Sequence, residues 1–73
     1  MTGNSTDAPR ADLTPREVDV LRMIGRGLTV TETGRALEIS GLTVSGHVKA
    51  IYRKLDICSR AEAATEAARR GLT

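Results

Sequence analysis

Residues 39–55 read Ile39-Ser40-Gly41-Leu42-Thr43-Val44-Ser45-Gly46-His47-Val48-Lys49-Ala50-Ile51-Tyr52-Arg53-Lys54-Leu55. Ser40 suits a helix N-cap, because its hydroxyl can accept from first-turn N–H groups that have no partner in the helix. Val44, Val48, Ile51 and Leu55 then recur at helical spacing and form one apolar stripe. This pattern predicts a helix over 41–55 with those four side chains buried. The remaining face carries Lys49, Arg53 and Lys54, and no acid stands between Ser40 and Leu55. A helix apolar on one side and purely basic on the other suits a groove lined with phosphates. The same pattern also describes a core helix whose charges merely solvate its outer face.

The segment just upstream decides what kind of helix this is. Thr29-Val30-Thr31-Glu32 fits a capping box, with the Thr29 hydroxyl accepting at N3 and Glu32 reaching back to the N-cap. A helix over 30–37 follows, and only Glu38 and Ile39 separate it from Ser40. Two helices joined so tightly, the second long and basic, form a helix-turn-helix. Nearer the N-terminus, Thr14 caps a helix expected over 15–26. Pro15 sits at N1, where its missing N–H costs nothing, and Glu17 completes a capping box. Leu13 can staple onto Val18, while Val18, Leu21 and Ile24 face inward and Gly27 ends the helix in a left-handed conformation. Ser59-Arg60-Ala61-Glu62 forms a third capping box for a last helix over 60–70, with Gly71 as its stop. No strand-like alternation appears. The expected architecture is all-α: a compact four-helix domain over 13–73, preceded by a flexible tail or linker over 1–12.

Composition agrees with one small domain. A chain of 73 residues cannot hold two cores, and a domain of this size is only marginally stable. It has no Phe or Trp, and Tyr52 is its only aromatic residue. Short aliphatics must therefore build the core, which favours close helix packing over a ligand pocket. The net charge of +2 is unevenly placed: residues 40–73 carry six bases against three acids, and residues 1–39 five against six. Cys58 is the only cysteine and His47 the only histidine, so neither an internal disulfide nor a metal cluster is expected. Cys58 is expected to fill a semi-buried loop position, with redox sensing as the alternative. No apolar run approaches transmembrane length and no signal-peptide core is present. A cytoplasmic chain without membrane contact, metal or cofactor is expected.

Leu13-Thr14-Pro15-Arg16-Glu17, Val20-Leu21, Gly27-Leu28, Glu32, Leu37 and Ile39-Ser40 resemble the opening of the LuxR/NarL/GerE-type DNA-binding domain. Thr43-Val44, His47, Ile51, Lys54-Leu55 and Ser59-Arg60-Ala61-Glu62-Ala63 continue the resemblance in order, across roughly residues 13–72. The resemblance implies a bacterial transcriptional regulator that binds double-stranded DNA as a dimer, its third helix in the major groove. It also places Ser45, Gly46 and Lys49 at base-reading positions, with Lys49 suited to the O6 and N7 acceptors of guanine. A phosphate contact or a solvated side chain is the alternative for Lys49. Thr43 and His47 match backbone-contacting positions, with bracing of the last helix as the other reading of His47. Arg53 and Lys54 would attract phosphate, although cations there also complement the helix dipole. Thr29 and Thr31 could clamp a flanking phosphate. The last helix forms the dimer surface in such domains, and here Ala61, Ala64 and Ala68 line one stripe. Small side chains bury little area, so a weak homodimer, assembled on DNA or helped by a receiver or ligand-binding domain, is expected.

Several positions depart from the family pattern. Ser45 stands where Lys is common, and Leu42 stands where a charged residue is usual. Leu42 could touch a thymine methyl or simply be exposed. Gly46 falls in mid-helix at a cost of about 1 kcal/mol relative to Ala, yet it would let the helix lie closer to the groove floor. Thr33 and Gly34 replace a bulkier apolar pair, which predicts weakened packing of the second helix. Glu38 occupies a turn position where Gly is frequent. These departures leave open a second reading, an interaction module that kept the fold without strong DNA binding. Catalysis has no support: there is no nucleophile–base pair, no paired carboxylates on one face and no phosphate-binding glycine loop.

Overall fold

A computed structural model describes residues 13–72. Four helices make up the fold: α1 (Pro15–Gly25), α2 (Val30–Leu37), α3 (Gly41–Leu55) and α4 (Arg60–Arg69). No strand occurs among the described residues. The expected helix ends at 26 and 70 fall one residue earlier, with Arg26 and Arg70 as C-caps. The proposed tail or linker over 1–12 lies outside the described residues. No helix is long and apolar enough to cross a membrane.

The helix starts follow the capping chemistry read from the sequence. At α1 and α2 both halves of the capping box form. The Glu17 and Glu32 amides donate to the Thr14 and Thr29 hydroxyls, and the two carboxylates accept from the Thr14 and Thr29 amides at 2.8 Å. Ser40 caps α3 by accepting from the Thr43 amide at 3.0 Å. The third expected capping box is only half made. The Ser59 hydroxyl accepts from the Glu62 amide, but the Glu62 carboxylate accepts from the amide of Cys58, one residue further out.

Each helix also ends in the same way. Gly27, Glu38, Asp56 and Gly71 all have positive φ. The residue after each donates its amide back to the carbonyl five positions earlier, as Leu28 does to Met23 and Ile39 to Gly34. This is the Schellman arrangement, which satisfies carbonyls left open at a helix end. Glu38 therefore does adopt the backbone conformation that makes Gly frequent at its position, at a steric cost of about 1–2 kcal/mol for a residue with a Cβ.

The core is made of Val20, Leu21 and Ile24 of α1, Val44 and Ile51 of α3, and Ala63 and Ala67 of α4. α1 packs against α4 and α3, and α2 against α3 and α1. The buried stripe of α1 is Glu17, Val20, Leu21 and Ile24, so Val20 rather than Val18 points inward. Val18 is half-buried at the stripe's edge. The four-residue stripe expected on α3 is likewise narrower than its spacing implied. Val44 and Ile51 are fully covered, whereas Val48 and Leu55 pack against the core only partly. Cys58 is exposed rather than semi-buried.

Packing at α2 differs from the expected weakness. Gly34 is buried under the turn, and a Cβ there would stand 2.7 Å from the Ile39 carbonyl oxygen. The turn thus closes onto the glycine backbone more tightly than a side chain allows. Thr33 is fully buried, and its hydroxyl has no hydrogen-bond partner. An unpaired buried hydroxyl costs about 1–3 kcal/mol. Thr33→Val keeps the shape and removes the polar atom, and should stabilise the domain by about 1 kcal/mol. Thermal denaturation should show this as a rise of roughly 4–8 °C; a lower melting temperature would mean that the hydroxyl has a partner.

Candidate nucleic-acid interface

The two ends of α3 are held differently. At its N-terminus Ser40 provides the cap, and the Ser40 and Thr43 hydroxyls share a hydrogen bond of 2.9 Å. The first turns of α1, α2 and α4 contain Glu17, Glu32 and Glu62, but the first turn of α3 contains no acid. Its partial positive charge is therefore the only one of the four without a carboxylate in its own first turn. At the other end, Lys54 donates to the Glu17 carboxylate at 2.8 Å, tying α3 to α1. The Glu17 side chain is 6% exposed and that of Lys54 26% exposed.

One Glu17 oxygen thus accepts both the Thr14 amide and the Lys54 ammonium. Burial pushes the Glu17 carboxyl up, but the Lys54 and Thr14 bonds outweigh it and hold the group below the usual carboxylate range. A second long-range tie runs from Arg60, whose guanidinium donates to the Leu28 carbonyl at 2.7 Å and joins α4 to the loop before α2.

These ties present the outer face of α3 to solvent. Leu42, Gly46, Lys49 and Arg53 are exposed along it, opposite Val44 and Ile51. Lys49 and Arg53 have no acidic partner among the described residues, whereas Arg16 and Arg22 pair with Asp19, and Arg69 and Arg70 with Glu66. Ser45 and His47 are half-buried on the flanks of this face, and Thr43 is exposed at its start. Thr29 and Thr31 are exposed at the start of α2, with the Thr29 oxygen engaged in the cap and its proton free to donate. Lys54 stands apart, because its ammonium is committed to Glu17.

On α4 the alanines divide between two surfaces. Ala63 and Ala67 fill the core, whereas Ala61 and Ala68 are exposed and Ala64 is half-buried. Beside them runs a shallow open groove of about 270 Å³, lined by Ile57, Ala61, Glu62, Thr65, Glu66 and Arg69. The Glu62 carboxylate, which accepts from the Cys58 amide, pushes the Cys58 thiol up. A raised thiol pKa lowers the thiolate fraction, the opposite of what a redox sensor needs. No group of His, Cys, Asp and Glu suited to a metal occurs among the described residues.

Sequence reasoning missed the Glu17–Lys54 and Arg60–Leu28 ties. Glu17 already had a complete local role as a capping residue, and nothing nearby in the chain marked it for a second partner.

A short helix, a tight turn and a capped basic helix, braced from behind by two more helices, define a helix-turn-helix domain. The chain belongs to the luxR family of bacterial regulatory proteins, whose family model matches residues 11–67. Over 60 residues it is 42% identical to the nitrate/nitrite response regulator protein NarL of Escherichia coli, an alignment covering 82% of this chain and 28% of that protein. It is 41% identical over 64 residues to the transcriptional regulatory protein LiaR of Bacillus subtilis, covering 88% of this chain and 30% of LiaR. A protein of Mycobacterium tuberculosis, provisionally named as an HTH-type transcriptional regulator, is 42% identical over 59 residues, which are 81% of this chain and 7% of that protein. The chain thus spans less than a third of each of these relatives.

Proposed function

We propose that this domain binds double-stranded DNA sequence-specifically as part of a bacterial transcriptional regulator, with α3 in the major groove. The carrying observation is the outer face of α3: exposed, free of acid, with two unpaired cations and no carboxylate in its first turn. Lys49 reads a base edge, with Leu42, Ser45 and Gly46 beside it, while Thr43, His47 and Arg53 contact phosphates. Thr29 and Thr31 at the start of α2 hold the flanking strand. Lys54, bonded to Glu17, orients α3 rather than contacting phosphate. The domain acts in the cytoplasm, where the DNA is, and performs no catalysis.

Two copies bind two half-sites through the alanine stripe Ala61, Ala64 and Ala68, of which Ala61 and Ala68 are exposed and Ala64 is half-buried. So little apolar area makes the dimer weak in free solution and dependent on DNA for assembly. The greater length of the relatives supports a receiver or ligand-binding domain on the N-terminal side, which would strengthen pairing. Titration of duplex DNA at increasing salt tests the central reading. Affinity should fall linearly in log–log form, as counterion release requires. Salt-independent or absent duplex binding would favour an interaction module instead.

A further inference from the structure

Two residues on the outer face of α3 serve no purpose in the fold. Leu42 is 87% exposed, and no other large hydrophobic side chain among the described residues is exposed. Burial therefore gives it nothing. Gly46, one turn further along, belongs to the class of poor helix formers. Its backbone is ordinary helix, and nothing lies within 4 Å of where a Cβ would stand. An alanine would fit there and strengthen α3. Both residues share a face with Lys49, and both are among the positions where the chain leaves the pattern of the domains it resembles.

An exposed isobutyl group and a bare stretch of backbone, followed by a cation, form a specific surface. The unpaired Lys49 and Arg53 favour a polyanion over a protein partner. On the floor of the major groove the only apolar group that a standard base offers is the C5-methyl of thymine. Leu42 and Lys49 are seven residues apart, about 10 Å along the helix axis, so both fall within about three base-pair steps.

We infer that Leu42 reads the methyl group of one thymine in each half-site, and that the missing side chain at Gly46 lets α3 come close enough to make the contact. This inference rests on the DNA-binding reading above. Lys49 then meets a guanine edge within the same few base pairs. Specificity at the thymine is set by the methyl group and not by a hydrogen bond.

The test begins with the duplex that the 73-residue chain prefers in a selection from random DNA. Each thymine is then replaced in turn by deoxyuridine, which removes the methyl and leaves base pairing and the O4 acceptor unchanged. One thymine per half-site should show a loss of about fourfold, the equivalent of one buried methyl at about 0.8 kcal/mol. Leu42→Ala should bind the thymine and deoxyuridine duplexes equally. Gly46→Ala should melt at a higher temperature than the parent and yet bind the preferred duplex more weakly, a divergence that a purely structural residue does not produce. The inference is overturned if no thymine is sensitive, if Leu42→Ala keeps the same penalty, or if Gly46→Ala binds as tightly as the parent. Binding to no duplex at any salt would overturn the DNA-binding reading itself, and this inference with it.

Discussion

Lys54→Met should destabilise the domain by about 2–3 kcal/mol at neutral pH, because it leaves the buried Glu17 carboxylate without its counterion. Losing one partner of a fully buried pair costs about 3–5 kcal/mol, and a quarter of the Lys54 side chain remains in water, so the lower figure applies. For a domain of this size the melting temperature should fall by roughly 10–20 °C. The pH dependence gives the loss a signature. In the parent, the folded-state pKa of Glu17 is lowered. Its contribution is therefore present above the ordinary carboxylate range and is lost as pH falls through the folded value. In Lys54→Met, burial is opposed only by the Thr14 bonds, so that pKa rises relative to the parent and the variant gains less stability than the parent as Glu17 ionises. The gap between the two proteins should widen from pH 4 to pH 7. Adding Glu17→Gln should recover part of the loss, since removing both charges costs less than stranding one. A gap that is constant with pH would show that Lys54 acts through its methylene packing alone.

Lys49→Ala and Arg53→Ala should weaken DNA binding in distinguishable ways. If Lys49 donates to a guanine, its removal costs about 1–3 kcal/mol on the preferred site and relaxes the preference at one position. Arg53 stands one turn nearer the C-terminal end of α3. As a phosphate contact it should weaken binding to all sequences alike and reduce the slope of log K against log salt by about one per bound subunit. Both side chains are exposed, so neither change should disturb folding. Equal and sequence-blind losses would move Lys49 to the backbone class. No loss from either would favour the interaction-module reading.

The helix boundaries were legible because their determinants are local. Thr14 with Glu17, Thr29 with Glu32, and Ser40 with Thr43 meet within three residues, so the sequence alone identifies donor and acceptor. The outer face of α3 was legible for a similar reason, since helical periodicity separates Lys49 and Arg53 from Val44 and Ile51. Lys54 was not. As a cation near a helix end it reads as a phosphate contact, and its tie to Glu17, 37 residues away, is a second role that no local spacing marks. Val20 displaced Val18 from the core because α1 is covered on two sides, by α3 and α4, which moves its buried stripe round the axis. At Thr33 and Gly34 composition alone pointed to looseness. The close turn over Gly34 and the orphaned Thr33 hydroxyl depend on how the following loop returns, and no spacing rule encodes that.

The helix ends bear on how quickly this chain finds its structure. Each helix is opened by a side chain three residues away and closed by a turn whose bonds reach back no more than five residues. The start and stop of every helix are therefore decided before any distant segment arrives, and the search that remains is the docking of preformed rods. Chains dominated by such short-range contacts fold on the microsecond-to-millisecond scale. If the dimer forms only on DNA, a protomer separated from its partner would keep its shape, and reassembly would wait on diffusion rather than on refolding.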